Sequence, residues 1–207
     1  MRARREVLER ELGVPLVFVE QVHSADVAIV RSERDVRAMR EHAHVADALV
    51  TDRSDVALAT MVADCVPVLL ADEQRGVIAA AHAGRRGLLG GVLGASVEAM
   101  MGLGACPANI RALIGPSVCG RCYEVPEQMF RESVEIQPAV ASRTSWNTPA
   151  LDLPAGAVAA LRDAGLAPEG IEVLERCTLE SEELFSYRRD PRTGRFAGVI
   201  TRSPRAV

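Results

Sequence analysis

Three residues of this chain have the types and settings to share one piece of chemistry: His23 in Glu20-Gln-Val-His-Ser24, Cys65 in Val62-Ala-Asp-Cys-Val-Pro-Val68, and His82 in Ala79-Ala-Ala-His-Ala-Gly-Arg-Arg-Gly87. Each stands at the polar end of an apolar, strand-like run, where a side chain can be aimed into a common cleft. Two imidazoles and a thiolate are borderline-soft donors that suit zinc, and three protein ligands leave one position open for water or substrate. An open site points to catalysis. The separations match no short zinc signature, so the residues alone leave two readings open, a shared metal centre or three unrelated side chains.

Other segments offer charge or thiols. Gly84-Arg85-Arg86-Gly87 lies where a strand turns into a helix, so free backbone N–H groups and two guanidinium groups could meet an anion such as phosphate. Its plainer reading is a glycine-eased turn with solvated arginines. Asp64, next to Cys65, could orient a metal ligand, move a proton, or simply make a turn. Cys119-Gly-Arg-Cys122 has redox-motif spacing, but no second pair completes a four-cysteine zinc site. His42 and His44 form a His-x-His pair in the most polar stretch, where solvation is the simpler account. Phe185-Ser-Tyr187-Arg188-Arg189-Asp190 places two arginines behind two aromatics, which suits either a phosphate beside a stacked ring or a basic loop with Phe185 in the core.

The elements that must hold these residues follow from pattern. A charged amphipathic helix is expected over 1–12, ended by Gly13 and Pro15. Strands are expected at 16–19, 27–30, 46–51, 56–62, 66–71, 76–81, 110–114, 171–174 and 196–201. Pro67 predicts an irregular start or a sheet edge for its strand, and 76–81 reads as a strand covered on both faces. One helix is expected from Gly84 to Gly102, with others at 125–136 and 154–164, the last capped by Asp152. The polar stretch 31–44 reads as an exposed helix or loop, and 138–149 as a disordered loop. Helices and strands interleave without Rossmann regularity, so the class is α/β or α+β.

Composition narrows the function classes. The 207 residues suit one large domain, and the apolar content is mostly Ala, Val and Leu with 3% aromatics, which calls for many small, well-fitted contacts. A net charge of −4 argues against a general nucleic-acid binder. No apolar stretch approaches a membrane span, the basic start has no apolar region behind it, and five cysteines fit a reducing compartment, so a cytoplasmic protein is expected.

Read together, Glu20-Gln-Val-His23, Ala46-Asp-Ala48, Ala63-Asp-Cys65-Val-Pro-Val68, His82-Ala-Gly-x-Arg86-Gly87, Ile114-Gly-Pro116, Tyr123-Glu-Val125, Arg176-Cys177-Thr178 and Phe185–Asp190 with Thr193-Gly-Arg195 occur in a telling order. The chain resembles, from about residue 5 to its end, the YfiH-type family of laccase-domain proteins, called multicopper polyphenol oxidases and also purine nucleoside phosphorylases. The resemblance implies an α+β fold, a layered α/β/β/α single domain with mixed sheets over residues 1–207, related to bacterial toxins with a Cys–His site. It implies zinc at His23, Cys65 and His82. It also implies phosphorolysis of adenosine, inosine and methylthioadenosine, and deamination of adenosine.

On that resemblance the catalytic set is Cys65, His82, Asp64 and Arg86. Arg86, Tyr187, Arg188 and Arg189 would hold substrate and phosphate, with Asp64 moving protons in place of the missing deaminase His-x-Glu. The expected partners are a purine nucleoside and phosphate, with no nucleic acid and no membrane, in a monomer or homodimer. Alternatives are a cysteine hydrolase or peptidoglycan editing factor using Cys65 as nucleophile, a copper-dependent phenol oxidase, and an inactive zinc-binding relative. True multicopper oxidation needs about ten histidines; this chain has four, although copper could occupy the same three-ligand site. Two departures stand out. Nothing here matches the family's further N-terminal segment, with its Thr-Arg-x-Gly-Gly-x-Ser and Asn-Leu-Gly stretches; the start could be mis-called or the protein truly short, and only in the second case would a sheet edge or pocket wall be missing. Arg85 stands where many members have Trp.

Overall fold

Short apolar runs of Val, Ala and Leu, buried on both faces at the centre, become strands, and the helices fall between them as punctuation by Gly, Pro and Asp predicts. The computed structural model describes residues 2–42 and 44–202. In chain order the elements are α1 (Arg2–Leu12), β1 (Leu16–Val17), β2 (Val27–Val30), α2 (Glu33–Glu41), β3 (Ala48–Thr51), β4 (Ala57–Val62), β5 (Val66–Asp72) and β6 (Val77–Ala83). They continue with α3 (Arg85–Leu89), α4 (Val92–Gly102), β7 (Arg111–Ile114), α5 (Glu127–Ile136), β8 (Ala141–Arg143), β9 (Pro149–Leu151), α6 (Leu153–Asp163), β10 (Ile171–Val173) and β11 (Phe196–Thr201).

Two mixed sheets form the centre. One has six strands in the order β10-β7-β5-β6-β3-β2; the other has three, β1-β4-β11. All seven residues of β6 are buried, because successive side chains meet different layers. Ala79 and Ala81 face a core shared with Leu88, Val92, Leu93, Val97 and Met100 of the helices. Ile78 and Ala80 face the second sheet through Val17, Val56 and Leu58. Alanines on the helix side let α4 lie close against the sheet, and each buried Val or Leu contributes roughly 1.5–3 kcal/mol. Helix α1 covers the far side of the smaller sheet through Leu12, against Leu16, Ala57 and Ala59, while α2 seals the edge of the inter-sheet core with Val36. The layering is the expected α/β/β/α.

Three local expectations change. The helix after His82 is broken into α3 and α4 at Gly90–Gly91, where Gly91 takes φ +91° that a side chain would resist. Pro67 lies in a central strand instead of at an edge. Its absent N–H falls before the β5–β7 register begins at Val68–Ile114, and its carbonyl still accepts from the Gly115 N–H. The stretch 138–149 is ordered. Val140 and Leu151 are buried, β8 pairs with β9, and the turn is closed by the Thr144–Thr148 hydroxyl pair with Asn147 at φ +69°. No helix among the described residues is long and apolar enough to cross a membrane.

Candidate metal centre and the cleft beside it

Strand register builds the site. Because Ala48 pairs with Ala81 in the antiparallel β3–β6 ladder, Asp47 lies beside His82. The His82 N–H donates to the Asp47 carbonyl at 2.7 Å, and His82 Nδ1 meets Asp47 Oδ1 at 2.8 Å. A proton on Nδ1 for that carboxylate leaves Nε2 as the free lone pair of the ring. The same carboxylate accepts the backbone N–H groups of Val22, His23 and Ser24 at 3.1, 2.9 and 2.6 Å, so it also fixes the loop that carries His23. His23 sits at φ +64°, a left-handed conformation that turns its ring inward.

Cys65 follows a turn in which Asp64 takes φ +92°. Its Sγ lies 3.6 Å from His23 Nε2, and the two imidazole rings meet edge to face with centroids 4.7 Å apart. One donor atom from each of His23, Cys65 and His82 falls within 4.8 Å of the others. Gly84 makes this approach possible, since a Cβ there would stand 2.5 Å from His23 Cδ2 and 3.2 Å from Cys65 Sγ.

The donors suit a cation. Burial holds His82 below its ordinary pKa, outweighing the Asp47 hydrogen bond that favours its charged form, so the ring is neutral and able to ligate. Burial, and then the Asp64 charge, push the Cys65 thiol up to about 11, with Arg195 offsetting part of the rise. A half-buried neutral thiol beside two imidazoles is a poor nucleophile, whereas a divalent ion would stabilise its thiolate.

Two cavities meet at these residues. A cleft of about 650 Å³ is lined by His23, Asp64, Cys65, Arg85, Arg86, Tyr123 and Arg188, among others. A second, of about 630 Å³, includes Gln21, Met61, His82 and Arg195; both touch His23, Cys65 and Tyr187. Gln21 clamps the floor by exchanging hydrogen bonds with Met61 of β4, 2.8 and 2.9 Å. Arg86 donates to the Val22 carbonyl at 2.8 Å while facing the cleft. The Arg188 guanidinium lies 4.8 Å over the Tyr123 ring. Asp64 accepts from Thr178 Oγ1 at 2.6 Å and from the Arg188 N–H at 2.7 Å, which ties the cleft wall to the 178–188 segment.

Arg189, expected beside phosphate, is placed elsewhere. Its guanidinium donates to the carbonyls of Thr178, Leu179, Ser181 and Leu184 and closes that loop upon itself. His42 and His44 belong to no metal-ready group among the described residues. Cys119 and Cys122 do gain partners that the spacing did not reveal, Cys177 and Glu180. Asp47 and Tyr123 stand in two of the motifs quoted above, Ala46-Asp-Ala48 and Tyr123-Glu-Val125, but neither was given a role; a lone acid flanked by alanines in a strand-forming run was the further signal for Asp47.

The profile of a family described as "Multi-copper polyphenol oxidoreductase laccase" matches residues 1–203. The chain is similar to a purine nucleoside phosphorylase of Streptomyces coelicolor, 50% identical over 96% of this chain and 81% of that protein. It is also similar to an adenosine deaminase of an unknown prokaryotic organism, 34% identical over 89% of this chain and 75% of that one. Among solved structures, YlmD from Geobacillus stearothermophilus superposes with a TM-score of 0.87 at 34% identity, covering 97% of this chain and 79% of its own. The hypothetical protein YfiH of Bacillus licheniformis superposes at 0.86 with 30% identity, covering 95% and 79%.

Proposed function

Since the chain belongs to the multi-copper polyphenol oxidoreductase laccase family, we propose that it is a zinc-dependent purine nucleoside phosphorylase. Its substrates are adenosine, inosine and methylthioadenosine, and it deaminates adenosine at the same site. The observation that carries this reading is the meeting of three metal-suited donors at the floor of a cleft rimmed by cations and phenol rings. About 650 Å³ is room for a nucleoside with phosphate beside it. His23, Cys65 and His82 would hold zinc, which when bound supplies a Lewis acid and an open position for water or a substrate oxygen.

The chain's own groups then divide the work. Tyr123 and Tyr187 offer ring faces for the purine, and Arg86 and Arg188 hold phosphate against the sugar. In phosphorolysis a phosphate oxygen bonds to C1′ as the glycosidic bond breaks. The bonding pair leaves with the purine, and the proton of monohydrogen phosphate ends on the base. In deamination water adds at C6, ammonia departs, and a proton passes from the water to the leaving nitrogen. Asp64, held in the wall by Thr178 and Arg188, is the acceptor placed to relay such protons. Asp47 positions both histidines without reaching the cleft.

The thiol of Cys65, pushed up to about 11, weighs against its use as a free nucleophile in a hydrolase. The test is adenine release from adenosine with and without phosphate. Phosphate-dependent release with ribose 1-phosphate as co-product, and a raised phosphate KM in Arg86→Ala, support the proposal. Release indifferent to phosphate, or a phosphate dependence unchanged in Arg86→Ala, sinks it.

A further inference from the structure

A second group of metal-suited donors lies outside the cleft. Cys119 and Cys122 come from the loop after β7; Cys177 and Glu180 come from the loop after β10. One donor atom of each falls within 4.8 Å of the other three. Four ligands on a tetrahedral zinc with Zn–S bonds of about 2.3 Å would stand roughly 3.8 Å apart, so the group needs only a small contraction to close on an ion.

The local backbone has the form such a site needs. The Cys122 and Tyr123 N–H groups both donate to the Cys119 carbonyl at 3.0 Å, which folds the Cys-x-x-Cys segment into a tight turn with both sulfurs on one side. The Cys119 N–H donates to Cys177 Sγ at 3.4 Å, the kind of contact that supports a thiolate ligand. Cys122 Sγ lies 3.4 Å from Glu180 Oε1. Cys122 and Cys177 are buried with Val118 and Leu179 around them, while Glu180 and Cys119 border a cavity of about 400 Å³ that gives an ion a way in. Arg121 and Arg176 line the same cavity together with Asp152 and Glu175, and Arg176 is paired with Glu183. Packing alone would account for three sulfurs in an apolar pocket. It gives no reason for a carboxylate to meet one of them.

We infer that Cys119, Cys122, Cys177 and Glu180 form a structural zinc site. All four coordination positions are filled by protein, which distinguishes it from the three-donor centre, and binding releases the thiol protons to solvent. The site staples two loops that otherwise share the Ser117–Cys177 bridge and the Thr178 N–H bond to Ser117. Those loops carry Val118 and Tyr123 of the cleft and Thr178, which holds Asp64. The staple therefore sets the shape of the cleft wall without touching substrate.

The experiment is zinc stoichiometry of the full chain, stripped under reducing conditions and titrated with Zn2+ against a chromophoric chelator. The inference predicts two tight equivalents, with one remaining in Cys122→Ser, in Cys177→Ser and, separately, in Cys65→Ser. Cobalt substitution checks the ligands: thiolate-to-metal absorption in Cys65→Ser should be about three times that in Cys122→Ser/Cys177→Ser. Retention of the other zinc in each variant shows that it has folded. One equivalent that disappears in Cys65→Ser, or a disulfide among Cys119, Cys122 and Cys177 in the reduced protein, overturns the inference and leaves the proposed function standing. One equivalent that survives Cys65→Ser but disappears in Cys122→Ser does the opposite.

Discussion

Replacing Asp47 by Asn should loosen the metal centre and destabilise the fold together. The carboxylate is 1% exposed, so water cannot make good what it loses. Oδ1 takes the His23 N–H and His82 Nδ1; Oδ2 takes the Val22 and Ser24 N–H groups. An amide of the same shape keeps one acceptor oxygen and points an NH2 at the other two donors. Each buried donor left unmatched costs about 1–3 kcal/mol, so the pair costs roughly 2–6 kcal/mol. For a chain of this size each kcal/mol lowers Tm by about 2–4 °C, which puts the fall at roughly 10 °C. Zinc affinity at the three-donor centre should drop about 10–100-fold, because His82 loses the partner that fixes its tautomer and His23 loses the anchor of its loop. Calorimetry and a competitive zinc titration read the two effects. A Tm within about 2 °C of the parent, with zinc affinity unchanged, would refute the reasoning.

Three further outcomes follow from the same geometry. Gly84→Ala should displace His23 or Cys65 and reduce base release at least ~10-fold through lost zinc, with little change in the helical signal; activity and zinc content equal to the parent would count against the crowding at 2.5 Å. Acid should weaken the protein. Burial lowers the His82 pKa in the fold, so the unfolded chain binds the extra proton first and stability falls as pH drops below about 6.5. Asp47 adds to this at lower pH: burial alone would raise its pKa, but the His82 bond and three backbone N–H groups outweigh it, and their stabilisation is lost as pH falls through its depressed value. A pH titration of Tm that stays flat from 7 to 4 would contradict both signs. Arg189→Ala should lower Tm by roughly 2–8 °C through the loss of its carbonyl contacts, about 1–2 kcal/mol, and should raise phosphate KM less than Arg86→Ala does. The reverse ranking would return Arg189 to the phosphate.

The sequence carried the strands and the three-donor centre well because each signal is local or repeated. Short, largely continuous apolar runs located β3 to β6, and the motifs around His23, Cys65 and His82 occur in an order that chance does not supply. What stayed hidden depends on contacts between distant segments. Asp47 owes its burial to the β3–β6 register, and in the sequence it is one acid among alanines. Cys177 lies 55 residues beyond Cys122 (177 − 122), so no spacing rule joins them. Arg188 and Arg189 are neighbours of one type, yet one faces the cleft and the other closes a loop, a choice made by which carbonyls lie within reach. The 138–149 stretch is polar enough to read as disorder, but two buried anchors, Val140 and Leu151, hold its ends.

The most direct test of the central claim joins zinc content at the His23–Cys65–His82 centre to phosphate-dependent adenine release in the parent and in Cys65→Ser. The account predicts that Cys65→Ser stays folded, loses one zinc equivalent and loses the release with it. Release that persists after that zinc is gone would contradict the account and assign the chemistry to another part of the cleft.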